Sequence, residues 1–434
     1  MEATVEYEQN KKSSLMPMIV AASSFFLLGF IAWINGSLMP YLKQMLELTP
    51  FKTSLIIFTF YISVTFSAIP SAKVIRKIGY KNSMALGMLI MMTAALLYIP
   101  AAKTHMFEVF LAAQIIYGIG FTLLQTAVNP YVVKFGPEES AAVRVSIMGI
   151  LNKFAGVIAP HIFTALIVVN LDFSVGSTLT EEQKNMMAQS LVMPYIYMAL
   201  LILAFTLFVK FSSLPELQSE DDGVEPGAGD IKEALKYPNL ALGVLALFVY
   251  VAVEVIAGDT IGIYALSLKV ENYSIMTSYT MFCMVIGYII GILLIPRFIS
   301  QQSALTGSAV IGILLSLAIV FGNSESYAIS NVLLVPFGLI ALPDTLMFIA
   351  ALGLANAMVW PAVWPLALSG LGRLTSVGSG LLIMGIAGGA FGPLIWGGVS
   401  ATGLGQQGAY IVMIPCYLFI LFYALKGHKL KRWN

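Results

Sequence analysis

Charge is scarce here: only 10% of the 434 residues are Asp, Glu, Lys or Arg, while 59% are hydrophobic. Soluble domains carry about 25% charged residues, so a water-facing surface cannot be assembled from this chain. Histidine and cysteine are scarcer still, at three and two. With no HExxH, GxSxG or Walker sequence and no His/Cys cluster, an enzyme is not expected, nor a metal or other cofactor. Cys283 and Cys416 both fall inside apolar runs, where a structural disulfide is not expected. The opening "MEATVEYEQNKK" lacks the pattern of a cleaved signal, so the first apolar run is expected to be retained. A net charge of +1 offers nothing to nucleic acid, and no nucleic-acid partner is expected.

What the chain does have is long apolar runs. A helix crossing a bilayer needs about 20 apolar residues, because no water is there to satisfy backbone N–H and C=O groups. Twelve stretches qualify: 17–40, 52–72, 82–102, 107–134, 141–169, 192–212, 238–268, 273–296, 304–321, 344–369, 374–400 and 407–426. The piece "SNVLLVPFGLIAL" (330–342) is short and broken by Pro and Gly, so it is taken as part of the connection after the ninth span. The fold class is therefore an all-α membrane protein of twelve transmembrane helices, with membrane lipid around it.

Lys and Arg are retained on the cytoplasmic side during insertion. With both termini cytoplasmic, seventeen basic residues fall inside and five (Lys43, Lys52, Lys103, Lys184 and Lys269) outside, with Lys153 left within a span. Between spans 6 and 7 the composition turns acidic, with Glu216, Glu220, Asp221, Asp222, Glu225, Asp230 and Glu233 among Gly and Pro. This reads as a solvated linker, 213–236, joining a six-helix bundle over 1–212 to another over 237–434.

The halves echo each other. "LLQTAVNPYV" (123–132) aligns without gaps to "LANAMVWPAV" (354–363), placing Gln125 on Asn356, Asn129 on Trp360 and Pro130 on Pro361. "IMGI" at 147–150 recurs at 383–386. Parallel repeats of this kind place a substrate site near the bilayer midplane, between halves that rock around it.

Five pieces, "KVIRKIGYK" (73–81), "LQTAVNPYV" (124–132), "FGPEESAAVRVSIMGILNKFAGVIAP" (135–160), "GLANAMVWPAVWPLALSGLG" (353–372) and "TSVGSGLLIMGIAGGAFGP" (375–393), carry a resemblance. The chain resembles the major facilitator superfamily and, within it, the fucose–proton and glucose/galactose symporters. The basic loop at 73–81 is common across the superfamily, whereas "LQTAVNPYV" and "VGSGLLIMGIAGG" are particular to the sugar branch. The resemblance implies two six-helix halves related by a pseudo-two-fold axis and cation-coupled import of a hexose or hexose derivative, glucose/galactose-type, by alternating access. It also implies a monomer in a bacterial inner (plasma) membrane. An uncoupled sugar facilitator, or a carrier of a non-sugar solute, is the alternative.

Polar groups inside a span are costly unless they meet a partner or a watery cavity. Sugar recognition uses amides for ring hydroxyls and aromatic faces for C–H surfaces. Span 4 offers Gln125 and Asn129, four residues apart and so on one face. Span 10 offers Asn356 and Trp360 at the same spacing, with Trp364 a turn further on. Span 1 adds Asn35, span 2 Tyr61 and span 5 Asn152. The alternative for the amides is hydrogen bonding between helices, or to backbone freed by Pro130; for the tryptophans it is packing or the interfacial belt. The glycines of span 11, Gly378, Gly380, Gly385, Gly388 and Gly389, are expected to permit close helix approach.

Coupling is less determined. The resemblance puts membrane carboxylates of proton-coupled fucose carriers at the positions of Gly36 and Gln125, and neither residue takes up a proton. Lys153 in span 5 and Glu254 in span 7 remain, as a proton site, as a gate pair, or as a static ion pair. A sodium site would have to come from amides such as Asn35, Gln125 and Asn129, so the co-transported cation, sodium or proton, stays open. Asp259 is expected to contact solvent at the outer end of span 7, and His161 to pack between helices. Thr180, Glu181 and Glu182 mark a helix start before "KNMMAQSLV".

Overall fold

Backbone groups in hydrocarbon must be paired within their own segment, and all twelve stretches are helical in the computed structural model of the chain. The structure describes residues 2–134, 141–167, 179–216, 228–295, 297–430 and 433, and among them there is no strand. Twelve helices are long and apolar enough to cross a membrane, from Met16–Met45 to Gly405–Lys429. The piece 330–342 is not among them. Most of the acidic stretch, 217–227, the connection at 168–178 and the side chain of Ser376 lie outside the described residues.

The chain forms two compact units: Met1–Ala32, Ile62–Leu171 and Thr180–Asp221 make the first, and Trp33–Tyr61, Asp172–Leu179 and Asp222–Asn434 the second. The helices α1 (Glu2–Met45) and α2 (Pro50–Ile78) contribute to both.

The first unit continues with α3 (Tyr80–Thr104), α4 (Phe107–Lys134), α5 (Ala141–Ile167), α6 (Glu181–Ser190) and α7 (Val192–Phe211). Helix α3 packs on α4 and α7. Small residues set the first contact: a Cβ on Gly87 would stand 2.8 Å from the Gly120 carbonyl oxygen, and one on Gly120 2.6 Å from that of Gly87. In the second contact Tyr98 stacks on Tyr195, with ring centroids 4.7 Å apart and planes at 12°, an arrangement worth about 0.5–1.5 kcal/mol beyond the area it buries. The Thr180 helix start is a capping box, completed by Gln183 rather than by the two glutamates: the Thr180 hydroxyl accepts from Gln183 N–H, and Gln183 Oε1 accepts from Thr180 N–H at 2.9 Å. At the start of α3 the Glu216 carboxylate accepts from Tyr80 N–H, and Lys81 Nζ donates to Ser212 O at 2.7 Å. An anion at a helix N-terminus is favoured by the exposed N–H groups and the dipole, and the pair fastens the end of α7 to α3.

The second unit holds α8 (Ala228–Ala234), α9 (Pro238–Asp259), α10 (Ile261–Ser267), α11 (Met276–Leu294), α12 (Gln301–Phe321), α13 (Ala328–Leu333), α14 (Asp344–Ala357), α15 (Val359–Leu368), α16 (Thr375–Ile383), α17 (Gly388–Ser400), α18 (Gly405–Gly408) and α19 (Met413–Leu425). Helix α9 is its hub, packing against α14, α15, α17 and α19. Four expected spans are interrupted, span 12 by a 3₁₀ turn at Ala409–Val412. Span 7 breaks at Thr260, whose hydroxyl donates back to Ile256 O at 2.7 Å and pairs with the Tyr410 hydroxyl at 2.9 Å. Span 10 breaks at Met358, so that Pro361 falls in the first turn of α15, where a helix needs no N–H. Span 11 passes through a 3₁₀ turn, Met384–Ala387, into α17. There a Cβ on Gly388 would overlap Phe248 O of α9, as close approach requires, whereas one on Gly380 would meet nothing within 4 Å.

The stretch Trp33–Tyr61 packs against α9, α11 and α17 of this unit. A Cβ on Gly36 would overlap Thr277 Oγ1, which donates to Gly258 O at 2.7 Å. A Cβ on Gly258 would stand 2.6 Å from Trp33, and one on Gly389 2.7 Å from the Tyr61 ring. Tyr273 donates to Gln44 Oε1 at 3.3 Å. Gly36→Val is expected to part these helices. In a protein lacking Cys283 and Cys416, a cysteine replacing the fully buried Ser37 should then react with a membrane-impermeant maleimide; continued protection would refute the contact.

Candidate functional site

The second unit gathers polar and aromatic side chains around a carboxylate. Glu254 on α9 is 8% exposed. Tyr250, one turn earlier on the same face, lies within electrostatic reach of the Glu254 carboxylate. Tyr288 from α11 and Tyr417 from α19 lie within electrostatic reach of the same charge. Phenol dipoles so placed stand in for water around a buried anion.

Tyr417 also donates to Asn356 Oδ1 at 2.8 Å. Asn356, at the end of α14, is 1% exposed, and its Nδ2 has no acceptor. Just past the break, Trp360 lies against Tyr250 with centroids 6.3 Å apart, and Trp364 lies 5.8 Å from Trp360. Both indoles are half-buried, and the Trp364 N–H likewise lacks an acceptor. A buried donor without a partner costs about 1–3 kcal/mol. One carboxylate, one amide, three phenols and two indoles thus meet, with spare donors and aromatic faces: the equipment for a small polyhydroxylated ring.

Asn35 and Tyr61 belong to the stretch Trp33–Tyr61 of this unit. Asn35 is 2% exposed. Tyr61 is buried, packs edge-on against Phe60 at 5.0 Å and lies within electrostatic reach of Asp259 and Glu254. Asp259 does not contact solvent as expected: it is fully buried. The chain continues past it into α10, every residue of which from Ile261 to Leu266 is buried, so the last residue of α9 is not at the surface.

The remaining candidates lie in the first unit. Gln125 and Asn129 are half-buried, four residues apart on α4. Asn152 donates to Phe25 O at 3.4 Å, joining α5 to α1. The neighbouring Lys153 is 8% exposed. His161, expected to pack between helices, is exposed on α5.

Sequence reasoning missed Tyr250, Tyr288 and Tyr417. The first was findable, standing four residues before Glu254; the others come from separate spans and gave no periodic signal.

The family model described as Major Facilitator Superfamily matches residues 21–393. The chain is 31% identical to a glucose/galactose transporter of Brucella abortus over 412 residues, covering 93% of this chain and 92% of that one. It is 28% identical to the L-fucose-proton symporter of Escherichia coli K12 over 437 residues, covering 95% and 93%. A crystal structure of the transporter FucP in the outward conformation superposes with a TM-score of 0.70 at 25% identity, covering 95% of this chain and 98% of that one.

Replacing Tyr417 by Phe strands the buried Asn356 oxygen and is expected to cost about 1–3 kcal/mol, read as a lower thermal transition. In the double variant N356L/Y417F both polar partners are gone, so the loss should fall below the sum of the single losses. Strict additivity would show that the pair is not coupled.

Proposed function

The chain belongs to the Major Facilitator Superfamily, and we propose that it imports a hexose or hexose derivative of the glucose/galactose type by cation-coupled symport with alternating access. The observation that carries this reading is the Glu254–Tyr250–Asn356–Tyr417 cluster with Trp360 and Trp364 beside it. The names of the relatives support the substrate class. In this reading Asn356 Nδ2 and the Trp364 indole N–H donate to sugar hydroxyls, and the Trp360 face takes an apolar sugar surface. Asn35, Gln125, Asn129 and Asn152 are assigned to the same recognition on the strength of the sequence.

The coupling ion is taken as a proton. Gly36 and Gln125 cannot carry one, while Glu254 is a buried carboxylate within a membrane-crossing helix. Lys153 supplies the opposing charge that favours release. Both termini are cytoplasmic, the protein works as a monomer in the bacterial inner membrane, and sugar and proton together stabilise the occluded form.

The test is accumulation of labelled glucose, galactose, fucose and N-acetylglucosamine in proteoliposomes, under a pH gradient and separately under a sodium gradient. Glucose or galactose should accumulate under the pH gradient. E254Q should abolish accumulation while sparing sugar counterflow, which needs no net proton movement. Accumulation driven by sodium alone would overturn the proton assignment, and no uptake of any sugar would overturn the substrate class. Gln125→Ala should abolish sugar binding with the fold intact; retained wild-type affinity would remove that residue from the site.

A further inference from the structure

The connection between α12 and α14 is far longer than joining two helices requires. Its counterpart in the first half, between α3 and α4, is two residues, His105 and Met106; this one runs 22 residues from Phe321 to Asp344. Connections beyond about 12–15 residues usually do something besides connect. Residues 326–343, "SYAISNVLLVPFGLIALP", contain no charged side chain and no histidine.

The structure folds this segment as a hairpin that leaves and returns at one point. Asp344 N–H donates to Ser326 O at 2.7 Å, and the Asp344 carboxylate accepts from the Ser326 hydroxyl at 2.5 Å and from Ile329 N–H at 2.9 Å. The Ser330 hydroxyl donates to Leu342 O at 2.7 Å. With its two ends fastened together at the start of α14, the segment cannot cross a bilayer. Between the ends run α13 and a 3₁₀ turn, Val335–Phe337, and Gly338 reverses the chain with φ 76°.

Its outward side is apolar. Val332 is 70% exposed, Leu333 57% and Phe337 81%, with Tyr327, Val335 and Leu339 also exposed. On the membrane-crossing α12 that precedes it, Phe321 is 78% exposed and Leu314 60% exposed. Along α13 and the turn after it the main chain is satisfied locally: N–H groups of Asn331, Leu334, Phe337, Gly338 and Leu339 all bond within the segment, which suits an apolar surround.

We propose that residues 326–343 form an interfacial hairpin whose apolar side is buried in the lipid leaflet at the α12–α14 end of the molecule, locked in place by Asp344. The partner is the phospholipid surface. Lipid is the occupant because the hairpin follows α12, whose exposed apolar residues already turn to the hydrocarbon, and because interfacial elements immerse an apolar side about 5–10 Å, near the headgroup and acyl boundary. The carboxylate clamp converts a floppy connection into a fixed element at the boundary, beside the start of the span that carries Asn356 and Trp360.

Nitroxide labels test it. Cysteines are placed singly at Val332, Phe337 and, as a water-side reference, Asn323, in full-length protein without Cys283 and Cys416. The protein is reconstituted in phosphatidylcholine–phosphatidylglycerol vesicles. Accessibility to oxygen, which concentrates in lipid, is compared with that to a neutral nickel chelate, which stays in water. The oxygen-to-nickel ratio should be several-fold higher at 332 and 337 than at 323. A ratio at both positions equal to the reference would overturn the proposal in favour of a water-facing loop. Protection from both reagents would also overturn it, with spin–spin broadening between molecules identifying a second copy as the cover. None of these readouts involves transport, so the result stands apart from the substrate and the coupling ion.

Discussion

The constraint on which the rest of this molecule depends is the cost of an unsatisfied polar group in an apolar medium. It forces the chain into helices, and it makes every departure from a helix conspicuous. Three of those departures, in crossings of the second unit at Thr260, Met358 and Met384–Ala387, are answered locally. Thr260 returns a hydrogen bond to Ile256 O, Pro361 occupies a first turn, and the 3₁₀ residues bond within their own turn. Two buried groups with spare donors stand near one of them: Asn356 two residues before Met358 and Trp364 six residues after it.

The same constraint explains the glycines. Hydrophobic burial gives little reason for one membrane helix to prefer another over lipid, so contact has to come from close packing. Gly87 against Gly120 does this within the first unit, and Gly388 against Phe248 within the second. At Gly36 the consequence differs. The packing there joins the stretch Trp33–Tyr61 to α9 and α11, so one small residue sets how closely they approach. In the fucose branch the resemblance places a carboxylate at this position; a side chain of that size would not fit the present contact.

The twelve crossings were legible because a long apolar run has one physical meaning. The interruptions were not, since Pro130 and Pro361 occupy matched places in the repeat yet α4 runs through the first while span 10 breaks before the second. Local sequence does not decide between a kink and a break; the packing around it does. Asn356, Trp360 and Trp364 were legible as polar or aromatic groups at helical spacing, and Glu254 as a charge deep in a span. Its phenol partners were hidden, because Tyr288 and Tyr417 are brought to it by tertiary packing alone. Asp259 was misjudged for a related reason: the end of a helix was equated with the end of the bundle, and the buried α10 continues past it.

Tyr61 connects the two parts of the second unit that matter. Its ring fills the space above Gly389, so it belongs to the packing of Trp33–Tyr61 on α17, and it lies within electrostatic reach of both Glu254 and Asp259. Nothing can withdraw the stretch Trp33–Tyr61 from α17 without also changing the polar surroundings of Glu254. On the proposed cycle, movement of this stretch and a change in the surroundings of the proposed proton carrier are therefore one event. Low-dielectric surroundings make a single displaced dipole worth far more than it would be in water, so no longer chain of contacts between carboxylate and stretch is required.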